Sequence, residues 1–200
     1  MKKALTVLGL GVLAALCSLP VITLGGAASA LYYSLAKCVR RGRERPWREF
    51  FRAFRQNFAT GAALSLILAL LLAVAYVSAL YLVNAPLSAL VTAFYAVTLS
   101  LTLFFALDIC ALGFPALSRF NFRAAQILSF TLRLLRRAPW RALALMLLAA
   151  ATMFAAYLFP PAALLAAGPA GYLATLLAGP VLNAFTPPRE EFPETFDYWF

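Results

Sequence analysis

The sequence predicts an all-α, polytopic membrane helical bundle of about five spans, with two amphipathic basic helices at the cytoplasmic interface. Three observations predict it. The 200 residues are 64% hydrophobic and only 12% charged, with a mean hydropathy of +0.87. A soluble domain carries about 45–50% apolar and about 25% charged residues. The apolar residues fall in long unbroken runs rich in Leu and Ala, which suit helices and not the short alternating segments of a barrel. The arginines lie between those runs, in two blocks.

Residues 4–36 form the first apolar stretch, interrupted at Pro20 and at Gly25-Gly26. It exceeds the roughly 20 residues of one span and falls short of two, so it reads as a single crossing that is broken or partly re-entrant. Residues 37–60 are basic, and 61–83 form a clean apolar run. Asn84 and Pro86 mark a tight turn; residues 87–114 are apolar and end near Pro115. Residues 118–141 form the second basic stretch, 142–159 the next apolar run, Pro160-Pro161 a short turn, and 162–185 the last apolar run. Residues 1–185 thus make one membrane-embedded domain, and 186–200 a polar, acidic and aromatic tail.

Charge sets the expected orientation. The first basic stretch holds Lys37, Arg40, Arg41, Arg43, Arg45, Arg48, Arg52 and Arg55 against Glu44 and Glu49. The second holds Arg119, Arg123, Arg133, Arg136, Arg137 and Arg141 and no acid, and the turns at Asn84 and Pro160 are uncharged. The positive-inside rule places both stretches and the C-terminus in the cytoplasm of a bacterial inner membrane. The N-terminus falls outside if residues 4–36 cross once, against which Lys2 and Lys3 argue. A cleavable signal peptide is the rival reading, from Lys2-Lys3 and Ala28-Ser29-Ala30. Its apolar region is longer than the usual roughly 7–15 residues, and cleavage would translocate the basic stretch. A lipoprotein is excluded by Leu16 before Cys17. The net charge of +10 does not imply nucleic-acid binding, because the basic residues punctuate apolar runs.

Residues 47–58, WREFFRAFRQNF, place Trp47, Phe50, Phe51, Phe54 and Phe58 on one arc at about 100° per residue. Arg48, Arg52 and Arg55 flank that arc, and Pro46 can open the helix. This predicts an interfacial helix with aromatics toward lipid and arginines toward phosphate. In the second stretch Phe120, Ile127, Leu128, Leu134 and Leu135 share one side, and Arg119, Arg123, Arg133, Arg136 and Arg137 the other. Pro139-Trp140-Arg141 echoes Pro46-Trp47-Arg48, which suggests a repeat of span, basic helix and span. Both stretches serve as membrane anchors, and the same arginines suit docking of a cytoplasmic partner or anionic lipid.

LPVITLGGAASALYYSLAKCVRRG followed by FFRAFRQNF resembles the N-terminal signature of the YesL-like bacterial membrane proteins. The elements are Leu19-Pro20, Thr23 and Gly25; Ala30-Leu31-Tyr32-Tyr33; and Phe50-Phe51, Phe54 and Asn57-Phe58. A further element looks like Phe114-Pro115, Leu117 and Arg119-Phe120. The family often has an Asn and a Trp in the first span, where this chain has Gly11 and Ala14. The resemblance implies a link to carbohydrate uptake, with a sugar ABC transporter component as partner, and no biochemical activity.

Asp108 is the acid inside an apolar run, and such a group is costly and often functional. It reads either as a structural ion pair with an arginine such as Arg119 or as a coupling-ion or substrate site. Pro20 with Gly25, Pro115, Gly168-Pro169 and Gly179-Pro180 are candidate breaks, of the kind that builds transporter sites or merely kinks a helix. Cys17, Cys38 and Cys110 form no C-x-x-C pair, and there is no histidine. No nucleophile, base or metal constellation is legible, so no enzyme and no cofactor is expected. The expected function is a non-enzymatic accessory protein in contact with membrane lipids; the alternative is a small oligomeric transporter or channel using Asp108.

Overall fold

The computed structural model describes residues 2–42, 45–84, 88–120, 122–183 and 185, and these are almost wholly helical. Arg43, Glu44, the turn expected at Pro86 and the tail from 186 to 200 lie outside the described residues. The helices are α1 (Lys2–Cys17), α2 (Leu24–Ser34), α3 (Pro46–Asn84), α4 (Ala89–Asp108), α5 (Phe114–Leu117), α6 (Ala124–Arg137), α7 (Pro139–Leu158) and α8 (Pro160–Asn183). A 3-10 turn at Val21–Thr23 leads into α2, and π-helical segments follow α2 (Leu35–Arg40) and α4 (Ile109–Gly113).

Four helical runs are long and apolar enough to cross a membrane: Pro46–Asn84, Ala89–Leu117, Pro139–Leu158 and Leu165–Asn183. These mark a membrane protein. Where the sequence suggests about five spans, the first stretch divides into two shorter helices. The reason is local. Thr23 Oγ1 lies 2.5 Å from the carbonyl of Cys17 and 2.7 Å from that of Pro20. It thereby satisfies a carbonyl that the end of α1 leaves open. Pro20 therefore sits in an exposed corner between helices and does not kink a span. α1 folds back on α2 and touches the 35–40 segment, with Leu10, Leu35, Val39 and Phe50 in one buried cluster. The start of α1 and the end of α2 thus lie at the same end of the bundle.

The small residues explain how closely this hairpin packs. A Cβ on Gly61 would fall 2.5 Å from the backbone nitrogen of Gly26, and one on Gly25 would strike the Gly61 carbonyl. Ser65 Oγ accepts from the Gly25 N–H at 2.8 Å and donates to the Gly61 carbonyl at 2.9 Å. Small residues that let backbones touch are the usual device of helix packing in membranes. Gly11 and Gly168 form the corresponding contact between α1 and α8, where a Cβ on Gly11 would lie 2.6 Å from the Gly168 Cα.

The chain turns into α3 through Gly42 and Arg45, both in the left-handed region at φ 74° and 64°. From Pro46 the helix runs unbroken for 39 residues. The aromatic segment 47–58 is therefore the first part of a spanning helix and not a separate interfacial one. The second span widens before Pro115: the Phe114 N–H reaches back to the Ile109 carbonyl. A wider turn makes room for a proline, which lacks an N–H and crowds the carbonyl of the preceding turn. Pro169 and Pro180 lie inside α8 with their rings exposed.

Pro46 and Pro139 each open a long helix. The amphipathic segment follows the first Pro-Trp-Arg but precedes the second, so the echo marks helix starts and no repeat of the layout. The core joins α2, α3, the α4–α5 run, α6, α7 and α8 around Leu64, Ile109, Leu112, Ile127, Leu134 and Leu182. Large apolar side chains such as Leu66, Leu70, Phe94, Val97, Leu147 and Phe154 point outward, as a hydrocarbon solvent requires and water does not favour.

Candidate functional site

The polar groups of the described residues concentrate at the end of the bundle where α2 finishes and α4–α5 hands over to α6. Lys37 is buried, hydrogen-bonds the Tyr33 hydroxyl and stands over the Tyr33 ring at 4.7 Å. Arg40 Nη1 donates to the Thr175 carbonyl at 2.7 Å. Arg119 is only 4% exposed, and its Nη1 donates to Asn183 Oδ1 at 2.7 Å. Burial pulls the Arg119 guanidinium down to about 10, against the opposing influence of Tyr32 and with a further push from Arg40 and Arg41. It remains charged at neutral pH. A guanidinium tolerates such a place because its planar fork keeps several donors in use.

Arg119 thus corrects the sequence reading, which set it on the polar side of an amphipathic helix. It precedes α6, in the turn after α5, and points inward. It is not the partner of Asp108. The Asp108 carboxylate is fully buried and accepts the Thr131 hydroxyl on Oδ2 at 2.5 Å, while its Oδ1 has no hydrogen-bond partner. The expected ion pair is replaced by a joint between the second span and α6.

α6 itself is strongly amphipathic. Its apolar side, Ile127, Phe130 and Leu134, is buried in the protein core, with Leu128 and Leu135 packed against it. Phe120, Phe122, Phe130 and Phe185 form a ring cluster with neighbouring centroids 5.0–5.5 Å apart. Arg123, Arg133, Arg136 and Arg137 are exposed, and Arg137 stands over the Phe185 ring at 4.9 Å. The aromatic stripe of α3 is likewise divided. Phe50 is fully buried against α1 and the 35–40 segment, and Phe54 is partly buried beside Gly26. Trp47, Phe51 and Phe58 are about half exposed, and Trp47 rests on Gly9. Arg48, Arg52 and Arg55 are exposed. The stripe therefore serves a protein contact on one edge and the surroundings on the other.

Sequence reasoning missed Lys37 as a buried group, and missed Tyr32, Thr131, Thr175 and Asn183. The Tyr33–Lys37 spacing of one helical turn was a usable signal. The others lie far from their partners in sequence and carry none. Among the described residues no group of three or more His, Cys, Asp or Glu could hold a metal ion, and Cys17, Cys38 and Cys110 are free thiols.

The fold and this polar end define a multi-pass helical membrane protein whose charged groups gather at one end of the bundle. Residues 5–79 match the family described as a protein of unknown function, DUF624. The match runs from α1 to near the end of α3 and contains Thr23, Gly25, Gly61 and the aromatic stripe. No curated protein and no solved structure matches the chain.

Proposed function

We propose that this is an accessory protein of the bacterial cytoplasmic membrane, without enzymatic activity, that partners a carbohydrate-uptake system such as a sugar ABC transporter. The observation that carries the reading is the set of exposed arginines at one end: Arg48, Arg52 and Arg55 on α3, and Arg123, Arg133, Arg136 and Arg137 on α6. They are separate from the buried cations that organise the fold, so they are available to an acidic surface. By the positive-inside rule this end is cytoplasmic, and so are the start of α1 and the end of α8. The YesL-like signature, Leu19-Pro20 to Phe58, supports the carbohydrate link.

The test is crosslinking and pull-down of the full chain from native membranes grown on polysaccharide. The expected result is recovery of a transporter component, lost in the R133E/R136E/R137E variant. Recovery of no transporter component would overturn the proposal. A small transporter using Asp108 finds less support, since Asp108 is bonded to Thr131 and Pro20 lies in a corner. Sugar, lipid or ion flux in liposomes that falls in Asp108→Asn would favour it instead.

A further inference from the structure

α2, the wide turn of the second span, α7 and α8 enclose a cavity of about 340 Å³. This is within the range of about 300–1,000 Å³ of small-molecule sites. Its wall is hydrocarbon, with Leu31, Phe114, Leu145, Leu148, Ala149 and Ala170 among its residues. Met153 also lines it and is 41% exposed, so the cavity reaches the apolar outer surface of α7. The hydroxyl of Thr152 on the same wall is bonded to the Ala149 carbonyl at 2.8 Å. Such a lining cannot hold a sugar, which needs several directed donors and acceptors.

Tyr32 is the exception in that wall. It is 4% exposed, and its hydroxyl has no hydrogen-bond partner. A buried phenol normally has one. The same side chain lies in the electrostatic field of Arg119 and Arg40, and Arg119 in turn feels Arg41. The space is therefore apolar along its length, carries one unused hydroxyl, and is cationic beyond it. That is the complement of an amphiphile with a hydrocarbon tail and an anionic head.

We propose that this cavity holds an acyl chain of an anionic phospholipid, whose head group bonds the Tyr32 hydroxyl and faces the cluster of Arg119, Arg40 and Arg41. The bilayer supplies the ligand through the Met153 side. The inference is independent of the carbohydrate reading and stands or falls separately.

The experiment uses the purified full chain in neutral detergent, stripped of lipid. Phosphatidylglycerol, phosphatidylcholine of the same chains, and inorganic phosphate are added in turn. Retention is read by native mass spectrometry and stabilisation by thermal unfolding. The expected result is retention of phosphatidylglycerol in preference to phosphatidylcholine, with no shift from phosphate. Filling the cavity with Ala149→Trp abolishes retention at unchanged helix content. Tyr32→Phe weakens it by about tenfold, the worth of a hydrogen bond to a charged group. Should Ala149→Trp fail to fold, Ala170→Leu makes the same test more mildly. Equal binding of the two lipids, full retention in the filled variants, or an equal shift from inorganic phosphate would each overturn the proposal. The last outcome would mark a phosphate site in which the cavity has no part.

Discussion

Thr131 donates its hydroxyl hydrogen to Asp108 Oδ2 across 2.5 Å, with both side chains fully buried. The bond fastens α6, the amphipathic helix, to the end of the second span just before its π turn. It gives the acid a structural partner, and it explains why a polar threonine occupies the apolar face of α6.

Removing that donor should be costly. Thr131→Val leaves a buried acceptor without its partner, which costs about 1–3 kcal/mol. Thr131→Ser keeps the hydroxyl and should cost less. Thermal unfolding in detergent micelles compares them, and equal midpoints for the two variants would show that the bond contributes nothing.

The glycine crossing gives a second ordering. Gly61→Val forces atoms into the α2 backbone, and overpacking of this kind costs about 1–3 kcal/mol or more. Gly42 has open space around it but a φ of 74°, so Gly42→Ala meets only backbone strain of about 1 kcal/mol. Protease resistance of the folded chain should fall more for Gly61→Val than for Gly42→Ala.

The arginines separate into two classes. Arg136→Gln should leave stability within about 0.5 kcal/mol, as surface changes usually do. Arg119→Gln breaks a buried charged contact to Asn183 and should destabilise by about 2 kcal/mol. Denaturation midpoints that rank the two variants in the reverse order would contradict the buried placement.

Side-specific labelling tests the hairpin of α1 and α2. In a chain whose native cysteines are replaced, Lys3→Cys and Ser129→Cys should react with an impermeant maleimide from the same side of the membrane. Ser88→Cys, between α3 and α4, should react from the other. Labelling of Lys3→Cys from the Ser88→Cys side would mean that the first stretch crosses the bilayer.

The apolar runs made the four long helices legible, because lipid imposes a length and a composition that no soluble core requires. Periodicity grouped Ile127 with Leu134, and Phe50 with Phe54, correctly. What it could not supply was the medium each face meets, since a protein core and an acyl chain reward the same side chains. That is why the Phe50 edge of the stripe turned out to touch α1. The corner at Thr23 escaped hydropathy altogether, because it depends on one hydroxyl reaching the carbonyl of Cys17. Arg119 was misplaced because it lies just before α6, where helical periodicity has no meaning.

The unbroken course of α3 has a mechanical consequence. At 1.5 Å per residue it is a rod about 58 Å long, so a tilt of about 5° at its arginine-bearing end displaces the far tip by about 5 Å. The Gly61 crossing with α2 lies part-way along it and supplies a fulcrum. Any pressure on the arginine-bearing end is therefore delivered at the opposite end as leverage, through a single covalent element.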